Sequence, residues 1–267
     1  MNNLIVSQGR IADRADNMIA GAAIIAKALE EKYGLNATYV GKPTPSVNDS
    51  WQESLPLAKN TLEGLRKALN KGIKENKRNI MLANTCSASL ATLPVVAEVY
   101  PDARLLWIDA HGDFNTPETT ESGYLGGMVV AAACGLWDSG HGSGLNSKNV
   151  ILIGSRDIDP KEQNLLNQAQ VKILPPSQVN TQNILDAIGG APVWIHIDWD
   201  VLEPGYLPAD YQVPNGLTVM QIKEIFQAIP LHQILGVELA EFNASSDEEV
   251  NENAKKIILD IIAGLFE

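Results

Sequence analysis

Eight short apolar runs recur along the chain: NLIVSQ, ATYVG, NIMLANT, RLLWIDAHGD, NVILIGSRD, VKILP, PVWIHIDWD and ILGVELAEFN. Each has the length and apolar character of a buried strand, and helical patterns lie between several of them. NMIAGAAIIAKALEEKYG reads as a helix ending at Gly34, and LAKNTLEGLRKALNKGIKEN as an amphipathic helix. DEEVNENAKKIILDIIAGLFE reads as a closing helix that starts near a cap-like Ser-Ser-Asp. Residues 42–56 hold Pro43, Pro45 and Pro56 among Ser and Asn, and read as a loop. Such alternation predicts an α/β fold with three α/β/α layers and a mostly parallel central sheet of about eight strands. No linker or composition break divides residues 1–267, so one domain is expected. In sheets of this kind ligands collect at the carboxyl ends of the strands. The polar clusters closing LLWIDAHGD, VWIHIDWD and GVELAEFN all fall on that rim.

Composition narrows the partners. The chain carries a net charge of −12 and contains no basic run. A phosphate backbone would repel it, so nucleic acid is not expected as a partner. No stretch of eighteen apolar residues offers a membrane span, and the first ten residues lack the pattern of a secretion signal. Two cysteines, Cys86 and Cys134, are too few for a disulfide framework and suit a reducing cytoplasm.

The chemistry concentrates in two short stretches. WIDAHGD carries Asp109, His111 and Asp113 at alternate positions, and IDWDVLEP carries Asp198 and Asp200 at the same spacing. In extended backbone, alternate side chains turn the same way, so each set can converge on one point. A single Asp-X-Asp can be a helix cap or a solvated pair. Two such pairs at the ends of apolar strands, one with an imidazole, need a compensating cation, because buried carboxylates repel one another and lose hydration. Oxygen-rich ligation with one imidazole suits Mn²⁺ better than a structural zinc site. Five ligands exceed what one small ion takes from protein, so shared carboxylates could bridge two ions and hold a hydroxide between them.

These residues resemble the arginase and agmatinase (ureohydrolase) superfamily. DAHGD, IDWDVLEP and VELAEFN are similar to its metal and guanidinium segments, while NTPETTESG and IGSRDIDPKE are similar to the arginase branch. The resemblance implies two Mn²⁺ ions bridged by Asp109 and Asp198, with His111 and Asp200 on one ion and Asp113 on the other. It also implies that Asn115, Thr120 and Ser122 lie near a substrate α-carboxylate, Asp159 near its α-amino group, and Glu241 on the guanidinium. Asp113 and Glu241 are then the expected catalytic residues. A carboxylate at Glu241 makes chemical sense, because it can pair with a planar guanidinium and orient its carbon toward a nucleophile. Ureohydrolases often form trimers or hexamers, so a homo-oligomer is possible, although no residue here decides it.

The chain departs from the family pattern in three places. Cys86 stands where members usually read the His of Gly-Gly-Asp-His-Ser. As a ligand it is soft, which weakens Mn²⁺ at that site or favours another divalent ion; the alternative is a small buried apolar residue. Where arginases read Ser-Gly-Asn-Leu-His-Gly, this chain reads Ser122, Gly123, Tyr124, Leu125, Gly126 and Gly127. The family's proton-shuttling histidine is thus replaced by Gly126, which is expected to leave empty space beside the guanidinium. Glu203 replaces an Asp conservatively. Together the changes predict a modified guanidine as substrate, with Nω-hydroxy-L-arginine giving ornithine and hydroxyurea. Ordinary arginase activity and a non-catalytic amino-acid-binding role are the alternatives.

Other candidates carry less weight. His196 is expected off the face that carries Asp198 and Asp200, as a hydrogen-bonded core histidine rather than a ligand. His141 reads as a loop residue, His232 as structural, and Cys134 as core.

Overall fold

A computed structural model describes residues 2–266. In chain order the strands are β1 (Asn2–Ser7), β2 (Ala37–Val40), β3 (Arg78–Ala83), β4 (Arg104–Ile108), β5 (Val150–Ile153), β6 (Lys172–Leu174), β7 (Val193–Asp198) and β8 (Ile234–Ala240). The helices are α1 (Met18–Tyr33), α2 (Trp51–Lys74), α3 (Ser89–Val99), α4 (Val129–Ala133), α5 (Pro160–Gln168), α6 (Thr181–Ile188), α7 (Val219–Ala228) and α8 (Glu248–Ile261). All eight strands pair in parallel, in the order β2-β1-β3-β8-β7-β4-β5-β6. Each apolar run named above contributes one strand.

The alternation of side chains along each strand sorts the core into two halves. Leu106 and Ile108 of β4 join Ile25 of α1, Ile184 of α6, Ile222 of α7 and Ile258 of α8 on one face. Leu105 and Trp107 join Leu62 of α2, Leu90 of α3, Val129 of α4 and Leu166 of α5 on the other. Both faces of the sheet are therefore covered, which is why its strands read as continuous apolar runs rather than alternating ones.

One expectation fails locally. The stretch expected as a loop through residue 56 already contains the first turn of α2, which begins at Trp51. The Glu53 carboxylate accepts hydrogen bonds from the Ser50 amide at 3.0 Å and the Ser50 hydroxyl at 2.9 Å. That cap starts the helix five residues before Pro56, which lies inside its second turn and forgoes one helical hydrogen bond.

The centre of the sheet is tightly packed where β7 meets β8. A β-carbon added at Gly236 would lie 2.2 Å from Cζ3 of Trp194, inside contact distance. Trp194 is itself fully buried. Gly236→Ala is therefore expected to lower stability by ~1–3 kcal/mol through overpacking, read as a lower midpoint in urea unfolding with an unchanged slope.

Candidate active site

Four adjacent central strands, β3, β8, β7 and β4, each deliver functional groups at their carboxyl ends. Cys86 opens a short 3-10 turn just after β3, and Glu241 follows β8. Asp198 ends β7, with Asp200 two residues on, and Asp109 follows β4. Parallel pairing aligns these ends: Ala83 faces Ala240, which faces Asp198, while Ile108 faces Ile197. Residues 155 positions apart in sequence thus meet, as when the Cys86 backbone amide donates to Glu241 Oε1 at 2.9 Å.

Ligand atoms gather in three overlapping groups, each within 4.8 Å: Asp109, His111 and Asp200; Cys86, Asp198 and Glu241; and Cys86, Asp109 and His196. His111 Nδ1 lies 3.0 Å from Asp200 Oδ2 and 3.3 Å from Asp109 Oδ1. Asp113 belongs to none of these groups but lines the same cavity, and its buried Oδ2 has no hydrogen-bond partner. Asp113 and Glu241 both adopt left-handed backbone, with φ of 48° and 61°. Such conformations are costly for non-glycine residues and concentrate at functional sites.

The electrostatics are those of a crowded acid cluster. Burial, then the charges of Asp200 and Asp109, holds the Asp198 carboxyl well above its ordinary range. Burial and Asp109 do the same for Asp113. Burial raises Glu241 to about 8 and Glu162 to about 7. Burial works against the charge on His111, but the hydrogen bonds and charges of Asp109 and Asp200 outweigh it and keep the ring protonated. Among the described residues, the Lys and Arg ion pairs all lie elsewhere. Arg156 comes near, yet its guanidinium donates to backbone oxygens of residues 154, 200, 201, 202, 213 and 214. Converging carboxylates, an unpartnered Asp113 oxygen and, among the described residues, no Lys or Arg counterion and only His111 as a basic group fit divalent cations as the missing positive charge.

This crowding has a measurable consequence. Glu162, Glu241 and His111 all bind protons more tightly folded than unfolded. Between about pH 5 and pH 8 the unfolded chain therefore holds fewer protons than the folded one, and stability falls as pH rises. With a chelator present, the melting temperature is expected to be higher at about pH 5.5 than at about pH 8. Excess Mn²⁺ should reverse the order, because cations displace those protons. Thermal melts at the two pH values, with and without metal, check both signs.

The cavity above the cluster encloses about 250 Å³, at the small end of ligand pockets. Asn115, Ser122 and Asp159 line it, as does Glu241. The buried Asn115 Oδ1 has no partner, whereas Ser122 and Asp159 sit on the exposed rim. Thr120 is not among the lining residues; its hydroxyl accepts from the Gly123 amide at 3.1 Å and shapes the loop instead. Tyr211, Asp157 and Glu162 also line the cavity and escaped the sequence reading. Tyr211 packs edge-on to His111 with ring centroids 5.3 Å apart, and nothing local in its loop signals this. Glu162 was legible in principle, as an acid in the first turn of α5; it accepts from the Phe114 amide at 2.7 Å.

Two further expectations are corrected. Gly126 does not leave empty space, because the Tyr124 ring fills it: a β-carbon at Gly126 would lie 2.4 Å from Tyr124 Cε1. The Tyr124 hydroxyl reaches Thr85 Oγ1 at 3.0 Å and Glu241 Oε1 at 3.3 Å. Burial and the Glu241 charge push its pKa well up, so it remains a neutral phenol. His196, in turn, shares a face with Asp198, since residues two apart on a strand point the same way. It is fully buried and hydrogen-bonded, with Nδ1 2.9 Å from Glu238 Oε2, but Nε2 lies 3.3 Å from Cys86 Sγ, at the edge of the cluster.

The family model described as Arginase matches residues 17–264. The chain is 57% identical over its full length to an N(omega)-hydroxy-L-arginine amidinohydrolase from Streptomyces lavendulae, of which it covers 98%. It is 27% identical to arginase from Saccharomyces cerevisiae over 80% of this chain and 64% of that one. Entamoeba histolytica arginase, solved with L-ornithine, superposes with a TM-score of 0.86 at 22% identity, covering 99% of this chain and 98% of that one, and so shares the fold.

Proposed function

Because this chain belongs to the arginase family, we propose that it hydrolyses Nω-hydroxy-L-arginine to ornithine and hydroxyurea with the help of two Mn²⁺ ions. The observation that carries the reading is Tyr124: a neutral phenol beside Glu241 occupies the space over Gly126. The full-length likeness to a hydroxyarginine amidinohydrolase supports the same substrate.

Asp109, Asp198, His111, Asp200, Asp113 and Cys86 would hold the cations. Bound there, divalent ions supply the positive charge that lets a water lose its proton near neutral pH. The rest falls to the side chains. Asn115, Ser122 and Asp159 grip the amino-acid end of the substrate. Glu241, which lines the cavity on left-handed backbone, orients the guanidine plane. N-hydroxylation lowers the basicity of a guanidine, so the modified substrate is more readily presented as a neutral group than arginine is. The Tyr124 phenol donates to the added oxygen. Water oxygen joins the guanidine carbon, the bond from that carbon to the ornithine nitrogen breaks, and the nitrogen takes a proton. Asp113, which lines the same cavity, is placed to take the proton that the water loses and to pass it to that nitrogen.

A product assay for ornithine, urea and hydroxyurea with added Mn²⁺ tests this reading. Nω-hydroxy-L-arginine is expected to exceed L-arginine by at least about 100-fold in kcat/KM, since a site built to hydrogen-bond a substrate hydroxyl can reject the analogue lacking it by as much as about 10⁴–10⁵-fold. Faster turnover of plain arginine would assign ordinary arginase activity instead.

A further inference from the structure

We propose that His196 is a metal ligand, and that with Cys86 and Asp109 it forms a thiolate–imidazole–carboxylate site selective for a softer divalent ion. This deepens the cation reading above and rests on it.

The imidazole is prepared for the role. Its Nδ1 faces Glu238 Oε2 at 2.9 Å, so Nδ1 carries the proton and Nε2 presents its lone pair. Glu238 is fully buried and is held in turn by the hydroxyls of Ser89 and Thr92. A carboxylate behind a histidine, fixing its tautomer and ring plane, is the usual support of a ligating imidazole. The His196 ring lies flat on Trp107, with centroids 3.6 Å apart and planes 5° apart. The Trp107 indole donates to Asp109 Oδ2 at 3.0 Å, so one aromatic ring positions two of the three ligands.

The distances suit a shared ion. Metal–nitrogen and metal–sulfur bonds of ~2.0 and ~2.3 Å at tetrahedral angles place the two donor atoms about 3.5 Å apart. Nε2 and Sγ are 3.3 Å apart here, and a ligand oxygen of Asp109 completes the group within 4.8 Å. Asp109 also belongs to the group with His111 and Asp200. The centre then has one oxygen-rich side suited to Mn²⁺ and one sulfur- and nitrogen-bearing side suited to Zn²⁺, Co²⁺ or Fe²⁺.

Cobalt(II) loading tests the assignment without an activity readout. Proton NMR of the unmodified Co²⁺-loaded protein is expected to show two exchangeable, hyperfine-shifted imidazole N–H signals. His111→Asn should remove one, and His196→Asn the other. His196→Asn should also weaken Co²⁺ binding at that side by at least ~10–100-fold. Cys86→Ser should abolish the thiolate-to-cobalt charge-transfer absorption and keep the His196 signal. A single imidazole signal, lost with His111→Asn, overturns the inference while leaving the cation centre intact. No Co²⁺ bound at all overturns the cation reading itself, and this inference with it. The signal count in the unmodified protein decides even if His196→Asn does not fold.

Discussion

With cations chelated above about pH 8, Asp198→Asn will melt at a higher temperature than the unmodified chain, and it will not turn over substrate. Asp198 is 5% exposed, and burial and the charges of Asp200 and Asp109 hold its carboxyl well above the ordinary range. The amide keeps the acceptor for the Asp200 amide, at 2.9 Å in the native chain, and removes the charge. Relieving a buried, uncompensated charge stabilises by roughly 1–3 kcal/mol, and each kcal/mol moves the melting temperature by about 2–4 °C in a domain of this size. Hydrolysis falls far more. Removing a partner that merely supports a ligand costs ~10–100-fold, so losing a residue proposed to hold the cations directly should cost more than that upper figure. Added Mn²⁺ should stabilise the unmodified chain and have little effect on the variant. A chelated variant that melts lower than its parent would refute the crowding argument.

Gly126→Ala is the second large effect. The new methyl would sit 2.4 Å from Tyr124 Cε1 and 2.9 Å from Cζ. The ring has nowhere easy to go: Arg14 stacks on it with its guanidinium carbon 4.7 Å from the centroid, and the hydroxyl is engaged by Thr85 and Glu241. Overpacking should cost ~1–3 kcal/mol. Displacing the phenol from Glu241 should lower kcat/KM on Nω-hydroxy-L-arginine by ~10²–10³-fold, the usual loss for one positioned donor. Tyr124→Phe separates the two effects, since it keeps the ring and loses only the donor. Gly126→Ala with Tyr124→Ala should recover stability, with a coupling of ~0.5–3 kcal/mol. Purely additive losses would mean that the two residues do not share this space. For the same reason Gly126→His alone should fail to create arginase activity, and Gly126→His with Tyr124→Asn has the room to do so.

Much of the site was legible before any coordinates. The acids of DAHGD and DWD stand at period two after apolar strands, and the strand ends of a parallel sheet lie on one rim. Glu241 follows the same logic on β8. The legible part fails where a contact depends on register or on the path of a loop. His196 sits in the same cross-strand row as Trp107 on one side and Glu238 on the other, and only that row turns a core histidine toward Cys86. Pro56 looked like loop because its ring removes a helical hydrogen bond, yet the Glu53 cap had already begun α2.

By itself, then, the amino-acid order determined the parallel layered sheet, the acid-lined rim and the family, because strand periodicity and the placing of polar groups at strand ends are local properties. The tertiary structure alone decided which side chain fills the space over Gly126 and which imidazole stands beside Cys86. Tyr124 is held over Gly126 by Glu241, 117 positions away, and His196 meets Cys86 from 110 positions away; such meetings in the packed interior leave no trace in local spacing.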